Sequence, residues 1–146
     1  MALGRYASDL EPGDDLGTLE YEIQPFVIRE YCHSVELHQE TLQSGGDGPQ
    51  HWPVPLIHID KLRFFARHCP GGSGPNARLH FEYNAVWSDA VRVGDRVIAA
   101  GKVTERYTKR GRDYLVLEIV LTSADDGREL VRYRDTSVLS FRQATP

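Results

Sequence analysis

The sequence predicts an α+β domain in which one long helix is wrapped by an antiparallel sheet, and three observations carry that expectation. From residue 79 onward, apolar side chains recur at every second position over four successive stretches. Gly94-Asp95, Gly111-Arg112 and Asp126-Gly127 separate those stretches as turns. Directly before them, residues 55–68 repeat apolar side chains at helical spacing.

Taken in order, residues 9–15 are turn-like, and Thr18-Leu19-Glu20-Tyr21-Glu22-Ile23 alternates as a half-buried strand should. Pro25 suits the first turn of a helix, where its missing N–H costs nothing. At about 100° per residue, Val27, Ile28, Tyr31, Cys32 and Val35 form one apolar stripe, with Arg29, Glu30, His33 and Glu36 opposite. This predicts a helix over 25–37, with His38 projecting onto its apolar side. Two short stretches, 44–49 and 70–75, are too rich in Gly and Pro to hold regular structure and read as loops.

Between those loops, Leu56, Ile59, Leu62 and Ala66 share one face of the second helix, bordered by Phe65 and His58, while Ile57 and Phe64 lie opposite. A helix apolar on more than one side is expected to be enclosed, with Lys61, Arg63 and Arg67 reaching solvent or a partner on long stems. The strands that follow are expected over 79–87, 96–107, 113–123 and 129–140. Within the third, Leu115, Leu117, Ile119 and Leu121 point one way and Tyr114, Val116, Glu118 and Val120 the other. A second apolar sheet face would meet another copy, so an oligomer is expected.

The chain has 146 residues, which suits one domain, its core spanning about 10–141. Net charge is -4, with 17 basic and 21 acidic side chains, so there is no global field to hold a nucleic acid. Arg106, Lys109, Arg110 and Arg112 form the one basic patch, at a hairpin tip, and read either as a solvated turn or as a contact for a phosphorylated ligand. No apolar run approaches the roughly 20 residues of a membrane span, and the first residues lack a secretory pattern, so a cytoplasmic protein is expected. Cys32 and Cys69 have no metal-type spacing and are expected as reduced, buried thiols. No histidine spacing suggests a metal site, and no phosphate loop or dinucleotide fingerprint appears, so no cofactor is expected.

One helix wrapped by a sheet is the pattern of a hot-dog domain. Glu11-Pro12-Gly13-Asp14-Asp15-Leu16, Ile28-Arg29-Glu30-Tyr31-Cys32, Val54-Pro55-Leu56 and Val91-Arg92-Val93-Gly94-Asp95-Arg96-Val97 together resemble the MaoC-like hot-dog superfamily, in particular its N-terminal-type dehydratase module. The resemblance implies a single domain that adds water to, or removes it from, acyl chains held as thioesters on coenzyme A or acyl carrier protein. Such chemistry needs an acid, a base and donors for an enolate oxygen. Backbone N–H groups around Leu56, Ile57 and His58, at the start of the second helix, could supply the donors and line the substrate site.

Active members of the superfamily resemble one another in an Asp followed five places later by a His. His38-Gln39-Glu40 is similar to the His end of that motif, but His33 stands where the Asp would be, and the Asn-Pro between them is absent. His38 is the first candidate for acid/base work and His33 its companion, each weighed against a core or solvated histidine. His51-Trp52-Pro53, followed by Asp60, is similar to the His and helix-borne acid of bacterial fatty-acid-synthesis dehydratases. His51 with Asp60 is therefore the alternative pair, and Asp60 read alone complements the first turn of its helix. The departure at His33 equally suits a non-catalytic acyl-binding subunit paired with a catalytic hot-dog partner, and Asp60 leaves a thioesterase open. The partner is expected to be a second copy or a different hot-dog chain.

Overall fold

The computed structural model describes residues 6–27, 30, 58–71 and 79–139, with the side chains of 58, 79 and 80 outside that description. After a single 3-10 turn at Ala7–Asp9 come β1 (Asp15–Glu22), the central helix α1 (His58–His68), β2 (Leu79–Trp87), β3 (Arg96–Lys109), β4 (Arg112–Ser123) and β5 (Glu129–Val138). Pro25 opens a helical stretch as its φ allows, and residues 25–27 and 30 are helical; the remainder of the helix expected over 25–37 lies outside the described residues.

The five strands form one antiparallel sheet in the order β1-β3-β4-β5-β2. The long β3–β4 hairpin forms its spine. There, the period-two pattern places Val97, Ala99 and Val103 of β3 beside Leu115, Leu117, Ile119 and Leu121 of β4 on the inner face, all fully buried. Val131 and Tyr133 of β5 continue that layer, and Phe64 and Phe65 of α1 press on it. Burial of Phe64 alone contributes about 2–3 kcal/mol. Its ring sits against Gly101 of β3, where a Cβ would come within 2.9 Å of Cε2. The absence of a side chain at Gly101 therefore sets how closely helix and sheet approach.

Helix α1 runs antiparallel to β1. Asp60 meets Tyr21, Arg67 Nη1 donates to the Thr18 carbonyl at 2.9 Å, and His68 Nε2 donates to the Leu16 carbonyl at 2.6 Å. The last two contacts give the C-terminal turn of the helix fixed partners on the strand. Cys69, just beyond, is a buried, reduced thiol, as expected; Cys32 lies outside the described residues.

Three expectations need correction. The buried face of α1 is Asp60, Lys61, Phe64, Phe65 and His68, whereas Leu62 is 43% exposed and Ala66 is exposed. Enclosure on every side therefore does not hold within one chain. Nor does Lys61 reach solvent: it turns inward because a carboxylate, Asp135 of β5, waits there. The outer sheet face also differs from the apolar surface expected. Tyr114 and Val116 are buried, but Glu118 pairs with Lys102 at 3.6 Å and Arg132 at 2.7 Å, and Arg134 pairs with Glu105 at 2.6 Å. Charge ladders across strands occupy the middle of that face, and exposed apolar side chains gather instead on the edge strand β2, at Phe81, Tyr83 and Val86.

Candidate functional site

The first described turn of α1 carries two adjacent charged residues that burial forces to find partners. Asp60 is 1% exposed. The Tyr21 hydroxyl donates to its Oδ2 at 2.7 Å, and Arg63 Nη1, one helical turn on, lies 3.6 Å from its Oδ1. The Arg63 guanidinium also lies 5.1 Å from the centre of the Tyr21 ring, so the three side chains form one cluster between helix and strand. Alternation in β1 explains Tyr21: it lies on the same side as Leu19 and Ile23, facing the helix.

Burial pushes the Asp60 carboxyl up to about 6, outweighing the Tyr21 hydrogen bond and the Arg63 charge, both of which lower it. The Tyr21 hydroxyl is driven well above the ordinary phenol range, by burial first and by the neighbouring carboxylate second. A carboxyl poised in that range can give or take a proton near neutral pH, while its tyrosine stays a hydrogen-bond donor.

Lys61 looks the other way. Its Nζ lies 3.0 Å from Asp135 Oδ1, with the two side chains 2% and 0% exposed. Asp135 also accepts from Ser137 Oγ at 3.1 Å and from the Tyr133 hydroxyl at 3.2 Å, and the Tyr133 ring stacks on Tyr83 at 5.5 Å. Burial and the Asp135 charge both raise the Tyr133 hydroxyl far above its ordinary value. Consecutive residues of one helix thus engage β1 and β5, with β3 and β4 between them in the sheet. The start of the helix is held from both flanks, with its charges neutralised in place.

Among the described residues, no group of three His, Cys, Asp or Glu side chains could hold a metal ion, and no helix is long and apolar enough to cross a membrane. No protein-family model matches the chain, and no curated protein matches it in sequence. Solved structures do match. R-hydratase PhaJ1 from Pseudomonas aeruginosa superposes with a TM-score of 0.67, covering 97% of this chain and 94% of its own at 12% identity. The MaoC-like dehydratase from Rhodospirillum rubrum gives 0.61 over 97% and 100% at 14% identity. The HadBC (3R)-hydroxyacyl-ACP dehydratase complex from Mycobacterium tuberculosis gives 0.62 over 86% and 98% at 16% identity.

The chain has the hot-dog fold. The likeness is to MaoC-like dehydratases and hydratases, as the sequence resemblance implied, and at these identities it is a likeness of fold.

Within this hot-dog domain, Asp60 is the one proposed acid whose surroundings are described, and its described partners are Tyr21 and Arg63. His33, His38, His51, Leu56 and Ile57 lie outside the described residues; His58 begins α1, but its side chain does too. Sequence reasoning gives Tyr21 only a strand position and Lys61 only a solvent-reaching stem, and it misses Asp135. A signal existed for Asp135: Val131, Tyr133, Asp135 and Ser137 share one parity in β5, so a carboxylate stands in an otherwise inward-facing row. Carboxylates are almost never fully buried unpaired, which calls for a cation on the helix packed above.

Proposed function

We propose that this hot-dog domain is a subunit of an acyl-thioester hydratase or dehydratase, moving water on or off enoyl or 3-hydroxyacyl chains carried by coenzyme A or acyl carrier protein. The supporting observation is the Asp60 carboxyl, buried at the start of the central helix beneath the Tyr21 hydroxyl, where burial pushes it up to about 6. In this reading His38 is the leading acid/base, with His33 beside it. His51 with Asp60 is the second pair, and backbone N–H groups at Leu56, Ile57 and His58 would supply the donors for the thioester oxygen. The partner is another hot-dog chain, or a second copy, which would cover the exposed Leu62 of the helix.

A second reading is a non-catalytic acyl-binding subunit. It is favoured by His33 standing where an Asp would complete the dyad, and by the fold likeness to HadBC, which is itself a two-protein complex. The deciding assay follows hydration of an enoyl thioester by the purified chain, alone and mixed with a hot-dog partner that carries the Asp and His. Turnover by the chain alone that His38→Ala abolishes supports catalysis here. Turnover that needs the partner and ignores His38→Ala supports the binding subunit. Release of free acid in place of hydrated product would overturn both in favour of a thioesterase.

A further inference from the structure

The basic patch at the β3–β4 hairpin tip is left unused by the acyl chemistry, and the structure separates its members. Arg106 is fully engaged: it pairs with Asp113 at 2.7 Å and Glu11 at 3.3 Å and donates to the Ser8 and Leu10 carbonyls. Lys109, Arg110 and Arg112 have no ion pair among the described residues, whereas Arg96, Lys102, Arg128, Arg132 and Arg134 each have one. Arg67 and Arg92 also lack an ion pair among the described residues but stand singly, so in a chain of net charge -4 the hairpin tip is where three unpaired cations are gathered.

That tip is built against its own stability in two ways. Arg110 has φ 52 and Gly111 φ 72, a two-residue turn with both central residues left-handed, which Asn-Gly or Gly-Gly satisfies without strain and an arginine does not. Lys109 and Arg112 face each other directly across the ladder, a like-charge pair that repels. Backbone strain and like charge retained together at an exposed tip point to a role for the charge.

The three cations rim a cleft of about 390 Å³ whose remaining walls are Phe81, Tyr107 and Tyr114. Tyr114 forms the buried floor. Tyr107, its cross-strand partner, stacks on it at 4.9 Å and 9°, and Phe81 meets it edge-on at 5.4 Å. Phe81 is the extra residue of a bulge between His80 and Glu82, which re-aims it toward Tyr114. Tyr107 is 39% and Phe81 58% exposed, so aromatic surface remains open on both sides of the floor. The contrasting cleft of about 400 Å³ on the outer sheet face has its cations already paired, Lys102 with Glu118 and Arg132 with Glu118 and Glu129.

We propose that this cleft binds a phosphorylated nucleotide, its base packed on Tyr107 and Phe81 and its phosphates held by Lys109, Arg110 and Arg112. Open aromatic faces accept any base by stacking, and unpaired cations beside them accept phosphate oxygens. The inference stands apart from the acyl chemistry proposed above, although the nucleotide end of a coenzyme A thioester and a free nucleotide both fit this description.

Calorimetric titration of the whole chain with adenosine 3′,5′-bisphosphate, ADP and inorganic phosphate tests the proposal. Both nucleotides are expected to bind at least tenfold more tightly than phosphate. Preference for the bisphosphate identifies the coenzyme A end as the source, and equal binding identifies a free nucleotide. Arg110→Asn, which suits the turn, should raise the melting temperature while weakening nucleotide binding about tenfold; Tyr107→Ala should weaken it at least about fivefold. Nucleotide binding no tighter than phosphate, or binding unchanged in both variants, overturns the proposal.

Discussion

Lys61 of the central helix and Asp135 of β5 form a buried ion pair at 3.0 Å, joining residues 74 positions apart in the chain. Desolvating two charges is costly, and their attraction repays that cost only because Ser137 and Tyr133 also donate to the carboxylate. The pair is better read as fixing the helix over the sheet than as a large source of stability.

Lys61→Met should therefore destabilise the domain by about 3–5 kcal/mol, because it strands a buried carboxylate. Lys61→Met with Asp135→Asn removes both charges and should recover most of that loss. Urea denaturation of these two variants, Asp135→Asn alone and the parent checks this, and simple additivity of the single losses would contradict it.

Asp60 should make the folded state less stable as pH rises. Its folded value of about 6 lies above the ordinary 3.8, so the native state holds the proton more tightly. The stability this contributes is fully present below about 3.8 and is lost as pH passes through about 6. Asp60→Asn keeps an oxygen for the Tyr21 hydroxyl and cannot ionise. Its advantage over the parent should grow between about pH 4 and 7 to at most about 3 kcal/mol, then level off. Denaturation midpoints across that range measure it; a pH-independent difference would contradict the assignment.

Strand positions were legible because their pattern has period two and their turns carry Gly or Asp. The four expected strands from residue 79 match β2 to β5 within two residues at each end. The buried face of α1 was not legible in the same way. Apolar counting favours Leu62 and Ala66 and makes Lys61 a solvent-reaching stem, yet the inward face holds Asp60 and Lys61. Periodicity records side-chain polarity alone; whether a charged residue can be buried depends on partners that come from β1 and β5, far away in sequence. The sequence shows the hairpin tip as basic, but only the geometry distinguishes Arg106, which is consumed by internal contacts, from the three cations beyond it.

Gly101→Ala tests how tightly helix and sheet are set. The added methyl would lie 2.9 Å from Cε2 and 3.0 Å from Cδ2 of Phe64, a ring with no exposed surface into which to retreat. A loss of about 1–3 kcal/mol is expected from overpacking. Combining it with Phe64→Leu should cost less than the sum of the two single changes, since the smaller side chain vacates the contested space. Thermal melts of the three variants decide this.

Arg106 holds the segment before β1 against the β3–β4 hairpin. It pairs through two nitrogens with Asp113 and spends Nη1 on the Ser8 and Leu10 carbonyls at 2.7 and 2.8 Å. The same segment is tied to β3 by the Gly13 amide, which donates to the Val103 carbonyl, and by the Val103 amide, which donates to Asp14. Arg106→Ala removes charge-assisted bonds worth about 1.5–3 kcal/mol each when buried, and less here because the side chain is only partly covered. The expected result is a modest drop in global stability with a much larger local effect. Amide exchange at Leu10 and Gly13 should accelerate at least tenfold while that of Leu117 and Ile119 in the sheet spine follows only the global change. Uniform acceleration across all four amides would mean that the arginine supports the whole fold and not this one attachment.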